Sequence, residues 1–216
     1  MTIRHQIEFG TISFLSLAAV AGITFAVLSN NKPQIPTSFA LPVVESIQEP
    51  TPTATPAPKT DITEQPAPDG RKKLRMTTVV GSDTEKTFTF TVIDTATNEE
   101  KIAYKTITSN DENLSIPFNT WSPDDKYFFI KQVTNSGTDS LVFRGDGAPI
   151  TETEQFLNST SIFKAQITNN KYQDTTGWAS ETLLIINTTT PSDTIQSYWF
   201  EVPSKAIIPL ATQFYD

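Results

Sequence analysis

The chain has 216 residues, a formal net charge of −8, 15 prolines against 8 glycines, one histidine and no cysteine. The lack of cysteine excludes a thiol nucleophile, a disulfide framework, thiolate-bound zinc or iron–sulfur centres, and a lipidated cysteine anchor. His5 precedes the first apolar segment, so the rest of the chain offers no Ser-His-Asp triad or histidine metal site. From Thr77 onward there are 18 Asp/Glu against 9 Lys/Arg, a negative field that excludes nucleic acid as a partner.

In chain order, residues 1–8 are a short polar start, and residues 9–29 (FGTISFLSLAAVAGITFAVLS) carry no charge. That length matches the roughly 20 residues a helix needs to cross the hydrocarbon core, and it exceeds the roughly 7–15 of a signal-peptide core. No small-x-small site follows Val27, so the segment is expected to stay as a signal anchor rather than be cleaved. Arg4 and the α-amino group against Lys32 give a slight positive-inside bias. The expectation is a single-pass protein of the cell membrane, with residues 1–8 cytoplasmic and the C-terminal part extracytoplasmic.

Residues 30–76 are expected to be a disordered Pro/Thr-rich stalk. Nine prolines fall between positions 31 and 70, as in EPTPTATPAPK, a composition that favours extended polyproline II (PPII) chain and buries no core. At roughly 3 Å per residue such a spacer reaches on the order of 100 Å, enough to hold a domain clear of a membrane or thread a wall. The basic cluster Arg71, Lys72, Lys73 and Arg75 either holds the domain near anionic surfaces or forms the solvated entry to a first strand; the second reading carries more weight.

Residues 77–216 are expected to form one all-β domain. Phe88, Phe90 and Val92 alternate with Thr87, Thr89 and Thr91, the period of a half-buried antiparallel strand. Further runs at 102–104, 127–130, 141–143, 162–163, 183–186, 198–200 and 207–208 are separated by turn-forming residues, and no helical period is evident. The unbroken apolar runs at 127–130 and 183–186 predict strands covered on both faces.

The domain also repeats internally. Trp121-Ser-Pro-Asp-Asp-Lys-Tyr-Phe-Phe-Ile followed by Ser140-Leu-Val-Phe parallels Trp178-Ala-Ser-Glu-Thr-Leu-Leu-Ile-Ile followed by Ser197-Tyr-Trp-Phe, and Phe88 to Asn98 gives a third copy of the second half. Trp121-Ser122-Pro123-Asp124-Asp125-Lys126 resembles the W-S-P-D-G-K signature of TolB-like, WD40-like β-propeller blades, and the likeness extends from Thr87 to Leu210. The resemblance implies that the Pro-Asp turn joins the first two strands of a blade and that the aromatic ahead of it packs between neighbouring blades. Asp125 stands where that signature has glycine, and the second copy reads Ala179-Ser180-Glu181. Four blades of about 40–45 residues need roughly 160–180 residues, so two to three blades are expected; the alternative is a β-sandwich.

The acid pairs Asp124/Asp125, Glu99/Glu100, Asp111/Glu112 and Glu152/Glu154 are the groups that would serve Ca²⁺ binding or acid–base catalysis. All fall in predicted turns, where acids serve solubility, so no metal, cofactor or catalytic residue is assigned. Asp146-Gly147 reads as a tight hairpin turn. Asp124, Asp125, Asp146 and Glu181 are the candidate binding loops. Trp121, Trp178 and Trp199 are assigned to the repeat core in preference to sugar stacking. The function expected is non-catalytic binding to another envelope protein, with self-association as a further partner mode and a cell-wall or glycan-binding module as the alternative.

Overall fold

The computed structural model describes residues 58–81 and 84–211. The expected membrane segment 9–29 lies outside them, and no helix among the described residues is long and apolar enough to cross a membrane. Twelve strands make three antiparallel sheets of four, each a meander in chain order. The first sheet holds β1 (Lys59–Pro66), β2 (Lys72–Val80), β3 (Glu85–Asp94) and β4 (Glu100–Ser109). In the second are β5 (Asn113–Ser115), β6 (Tyr127–Thr134), β7 (Gly137–Arg144) and β8 (Leu157–Asn158). The third comprises β9 (Lys171–Trp178), β10 (Leu183–Thr189), β11 (Ile195–Glu201) and β12 (Ala206–Pro209). The architecture is β-rich, with three four-stranded sheets among the described residues rather than the two of a sandwich.

The expected boundary between stalk and domain is corrected by two strands. β1 and β2 lie largely within 30–76, and β1 pairs with β2 over its whole length, from Lys59 opposite Val80 to Pro66 opposite Lys73. Proline density misled the reading. Prolines recur up to Pro58, but the next two, Pro66 and Pro68, flank the turn between β1 and β2, where they cost no ladder hydrogen bond. The basic cluster is likewise structural: Lys73 and Arg75 bond Glu64 across the hairpin at 2.9 and 2.7 Å, and Arg75 reaches Glu100 at 2.8 Å.

Side-chain alternation then stacks the sheets. Leu74 and Met76 of β2, opposite Val92 and Phe90 of β3, face the second sheet, while the threonines of β3 take the other side. The second sheet is apolar on both faces, as the run at 127–130 predicts: Phe128, Ile130, Leu141 and Phe143 pack toward the first sheet, Phe129 and Val142 toward the third. Phe128 and Phe143 stack at 5.1 Å between centroids. Each such buried side chain contributes about 1.5–3 kcal/mol, so the middle sheet holds its neighbours. Lys131 of β6 adds an ion pair to Asp174 of β9 at 2.6 Å.

One helix departs from the all-strand expectation. The run Ile162-Phe163, expected as strand, lies in α1 (Ser159–Gln166), which Asn158 caps by accepting the Ser161 N–H at 2.9 Å. β8 is only two residues long, and the start of α1 continues its work: Thr160 Oγ1 accepts the Ser140 N–H at 3.0 Å, and Ser159 Oγ donates to the Ser140 carbonyl at 3.0 Å. Phe163 is fully buried against the third sheet, 5.2 Å from Tyr198.

Candidate functional site

The turns joining the first two strands of the first and second sheets share one geometry. The Ser122 N–H donates to Tyr127 O at 2.9 Å and the Asp125 N–H to Ser122 O at 3.0 Å; the same pair recurs from Ala67 to Lys72 O at 2.9 Å and from Gly70 to Ala67 O at 3.0 Å. Gly70 has φ +72° and Asp125 φ +57°, so Asp125 occupies the left-handed position that glycine fills one sheet earlier. Ala67-Pro68-Asp69-Gly70-Arg71 is therefore the first copy of the turn, glycine included, hidden in the sequence by its Pro-rich surroundings. The third turn is one residue shorter and closes from Ala179 N–H to Leu183 O at 2.8 Å.

Asp124, Asp125 and Asp146 come together at this end of the sheets, around a depression of about 420 Å³ that also takes in Lys72, Lys126 and Arg144. Glu181 is exposed and outside it, on the neighbouring turn. Most of these acids serve the turns that carry them. Asp124 accepts from Ser122 Oγ at 2.9 Å and pairs with Lys126 at 2.8 Å. Asp146 accepts the Ala148 N–H at 2.9 Å and pairs with Arg144 at 2.6 Å, and the Gly147 N–H closes the expected tight turn on Arg144 O at 3.0 Å. Burial pushes both carboxyls up, but these partners outweigh it and hold them below the usual carboxylate range. Asp125 differs: it is 6% exposed, its Oδ1 has no hydrogen-bond partner, and burial together with the neighbouring Asp69 raises its pKa. No group of three or more potential ligand side chains suited to a metal ion occurs among the described residues.

A second concavity, of about 780 Å³, opens where the first strands of the three sheets end. Its floor carries the two tryptophans that the repeat aligned. Trp121 donates its indole N–H to Gln65 O at 3.1 Å, and Trp178 donates its own to Thr120 O at 3.1 Å, so each ring is pinned to the preceding sheet. The cleft was not foreseen, because its most exposed element sits in a gap in a strand. Only residues 113–115, which are β5, pair fully with β6, and pairing resumes in a single bridge from Trp121 to Phe128. Between them Pro117 cannot donate to the ladder, and Phe118 stands out with 85% of its surface exposed. A proline followed by an aromatic between two polar segments, Ser115 and Asn119-Thr120, is the available signal.

Trp199 departs from the expected repeat core. The turn hydrogen bonds make Leu74, Phe129 and Ile185 equivalent, and likewise Val92, Val142 and Trp199. In the first two sheets these positions lie under the next sheet. On the third sheet no further sheet follows among the described residues, so Ile185 and Trp199 are only half-buried, beside Ile208 at 39% exposure. The indole N–H of Trp199 is enclosed without an acceptor. Ile185 also lines the cleft, which makes the cleft and this face one uncovered apolar surface.

No family model matches the sequence, and no curated protein matches it. Among solved structures the chain is similar to the crystal structure of TolB from Acinetobacter baumannii, at 13% identity and a TM-score of 0.41, over 71% of this chain and 33% of that one. The chain thus spans about a third of that protein's length.

Proposed function

We propose that the protein is a non-catalytic binding domain, tethered to the cell membrane by residues 9–29 and displayed outside it, that engages another protein of the cell envelope. The observation that carries this reading is the continuous uncovered apolar surface running from Phe118 through Trp178 and Ile185 to Trp199 and Ile208. Contiguous apolar surface of this kind on a soluble domain marks an interaction site. The acidic end supports binding rather than catalysis, since Asp124 and Asp146 are occupied in holding their own turns. The test is crosslinking of the full chain in its membrane, comparing the native protein with the Phe118→Ala/Ile208→Ser double variant. A discrete envelope protein captured by the first and lost from the second is the expected result; equal capture by both would remove this surface from the function.

A further inference from the structure

We propose that the cleft around Phe118 takes an uncharged, proline-rich segment of its protein partner in the extended PPII form. The inference rests on the binding function proposed above and assigns the ligand class of that site. Twelve residues line the cleft and none is charged, although the sequence from Lys59 onward carries 21 Asp/Glu and 14 Lys/Arg. A charged segment would lose its water there and gain no counter-charge.

Hydrogen bonding narrows the ligand further. Both indole N–H groups are already given to Gln65 and Thr120 carbonyls, which fixes the rings as rigid platforms and removes them as donors to a ligand. The polar side chains left in the lining are those of Gln65, Asn119 and Thr176, and Asn119 Nδ2 already leans on Thr176 O at 3.4 Å. An ordinary peptide strand brings an N–H at every residue, and each one buried without an acceptor costs about 1–3 kcal/mol. Proline brings none, and a PPII segment is already extended, so little conformational entropy is lost on docking. Aromatic-lined grooves recognise such segments by stacking the pyrrolidine ring, and Phe118, Trp121 and Trp178 with the prolines Pro66 and Pro68 supply that lining. A sugar presents a hydroxyl on nearly every carbon and would find few partners here, which is why a protein segment is favoured over a glycan. A volume of about 780 Å³ is within the range of ligand clefts.

The test titrates the full chain in detergent with decaproline, with a glycine–serine decamer and with chitohexaose, following heat of binding and tryptophan fluorescence. Decaproline should bind saturably and the other two should not. Phe118→Ala should weaken decaproline binding about tenfold or more, with an unchanged melting temperature because the ring is almost wholly in solvent. Absence of decaproline binding, binding unaffected by Phe118→Ala, or preference for chitohexaose would each overturn the proposal. Should partner capture depend on Phe118 and Ile208 while decaproline fails to bind, the binding function stands and the ligand class falls.

Discussion

Replacing Asp125 with glycine should stabilise the domain, an unusual direction for a change at a buried position. At φ +57° an L-residue bears a left-handed conformation that costs about 1–2 kcal/mol, less for aspartate. Glycine loses about 0.5–1 kcal/mol more chain entropy on folding, so the backbone exchange alone nearly cancels. The side chain decides the sign. Asp125 is 6% exposed with Oδ1 unpartnered, and a polar atom buried this way costs about 1–3 kcal/mol. The net gain should be about 1–2 kcal/mol, or about 3–6 °C in Tm for a domain of this size, read by thermal denaturation at neutral pH. The gain should also depend on pH. Because burial, then the Asp69 carboxylate, raises the Asp125 pKa in the folded state, the penalty is full above that raised value, where both folded and unfolded chains are ionised. It fades as pH falls through the raised value and is gone below the ordinary value near 4, where both are protonated. Asp125→Gly should therefore gain most at neutral pH and least in acid. A variant no more stable than the native chain, or a gain that does not shrink on acidification, would refute the reasoning.

Gly145 and Gly147 lie two residues apart and should respond differently to alanine. A Cβ on Gly145 would lie 2.0 Å from the Asp125 carbonyl oxygen, so Gly145→Ala should cost about 3 kcal/mol or more. Gly147, at φ +70° with its nearest neighbour atoms 3.5 Å away, should cost only about 1 kcal/mol of backbone strain. Urea denaturation of the two variants checks the ranking. Trp121→Phe removes the indole donor to Gln65 and should cost about 1–3 kcal/mol. Hydrogen exchange should show the loss concentrated in Lys59–Pro66, and uniform deprotection of all three sheets would count against the proposed pinning.

The strands were legible wherever burial writes a period into the sequence. Phe88, Phe90 and Val92 against threonines specified β3 and its buried face, and the unbroken run at 127–130 marks a strand covered on both sides, whereas the like run at 183–186 is covered on one face only, with Ile185 half-buried. Composition hid what it averaged over. Lys59–Pro66 is exposed along nearly its whole length, so no apolar alternation announced it, and its one proline, Pro66, continues the proline-dense composition of the sequence before it. The helix escaped because Ile162-Phe163 is too short a run to separate a period of 3.6 from one of 2; its capping residue, Asn158, was the better signal. Of the acids expected in turns, Asp124, Asp125 and Asp146 lie there, but Glu100 begins β4, opposite Ile93. What the sequence could not show is that Asp146 and Asp124 spend their oxygens on Ala148 and Ser122 while Asp125, in glycine's place, spends one on nothing.

The two ends of the stack differ in a way that bears on how the domain binds. In any array of layers each sheet buries apolar surface against its neighbours, and an end exposed to water needs a polar outer face. The first sheet meets that need in part: where the second sheet has Phe128 and its fellows packed toward it, β2 turns Lys73 and Arg75 outward, matched to Glu64 and Glu100, beside the exposed Ile62, Ile102 and Ile107. The third sheet does not, and presents Ile185, Trp199 and Ile208 at positions that elsewhere lie beneath the following layer. Two of the three tryptophans give their indole N–H to a carbonyl of the preceding sheet, and the third encloses its N–H without an acceptor. A chain that settles on this face completes the apolar layering of the stack. Since Ile185 is shared with the cleft, a segment held at Phe118 lies at the border of the face its own domain would cover, and one partner can engage both.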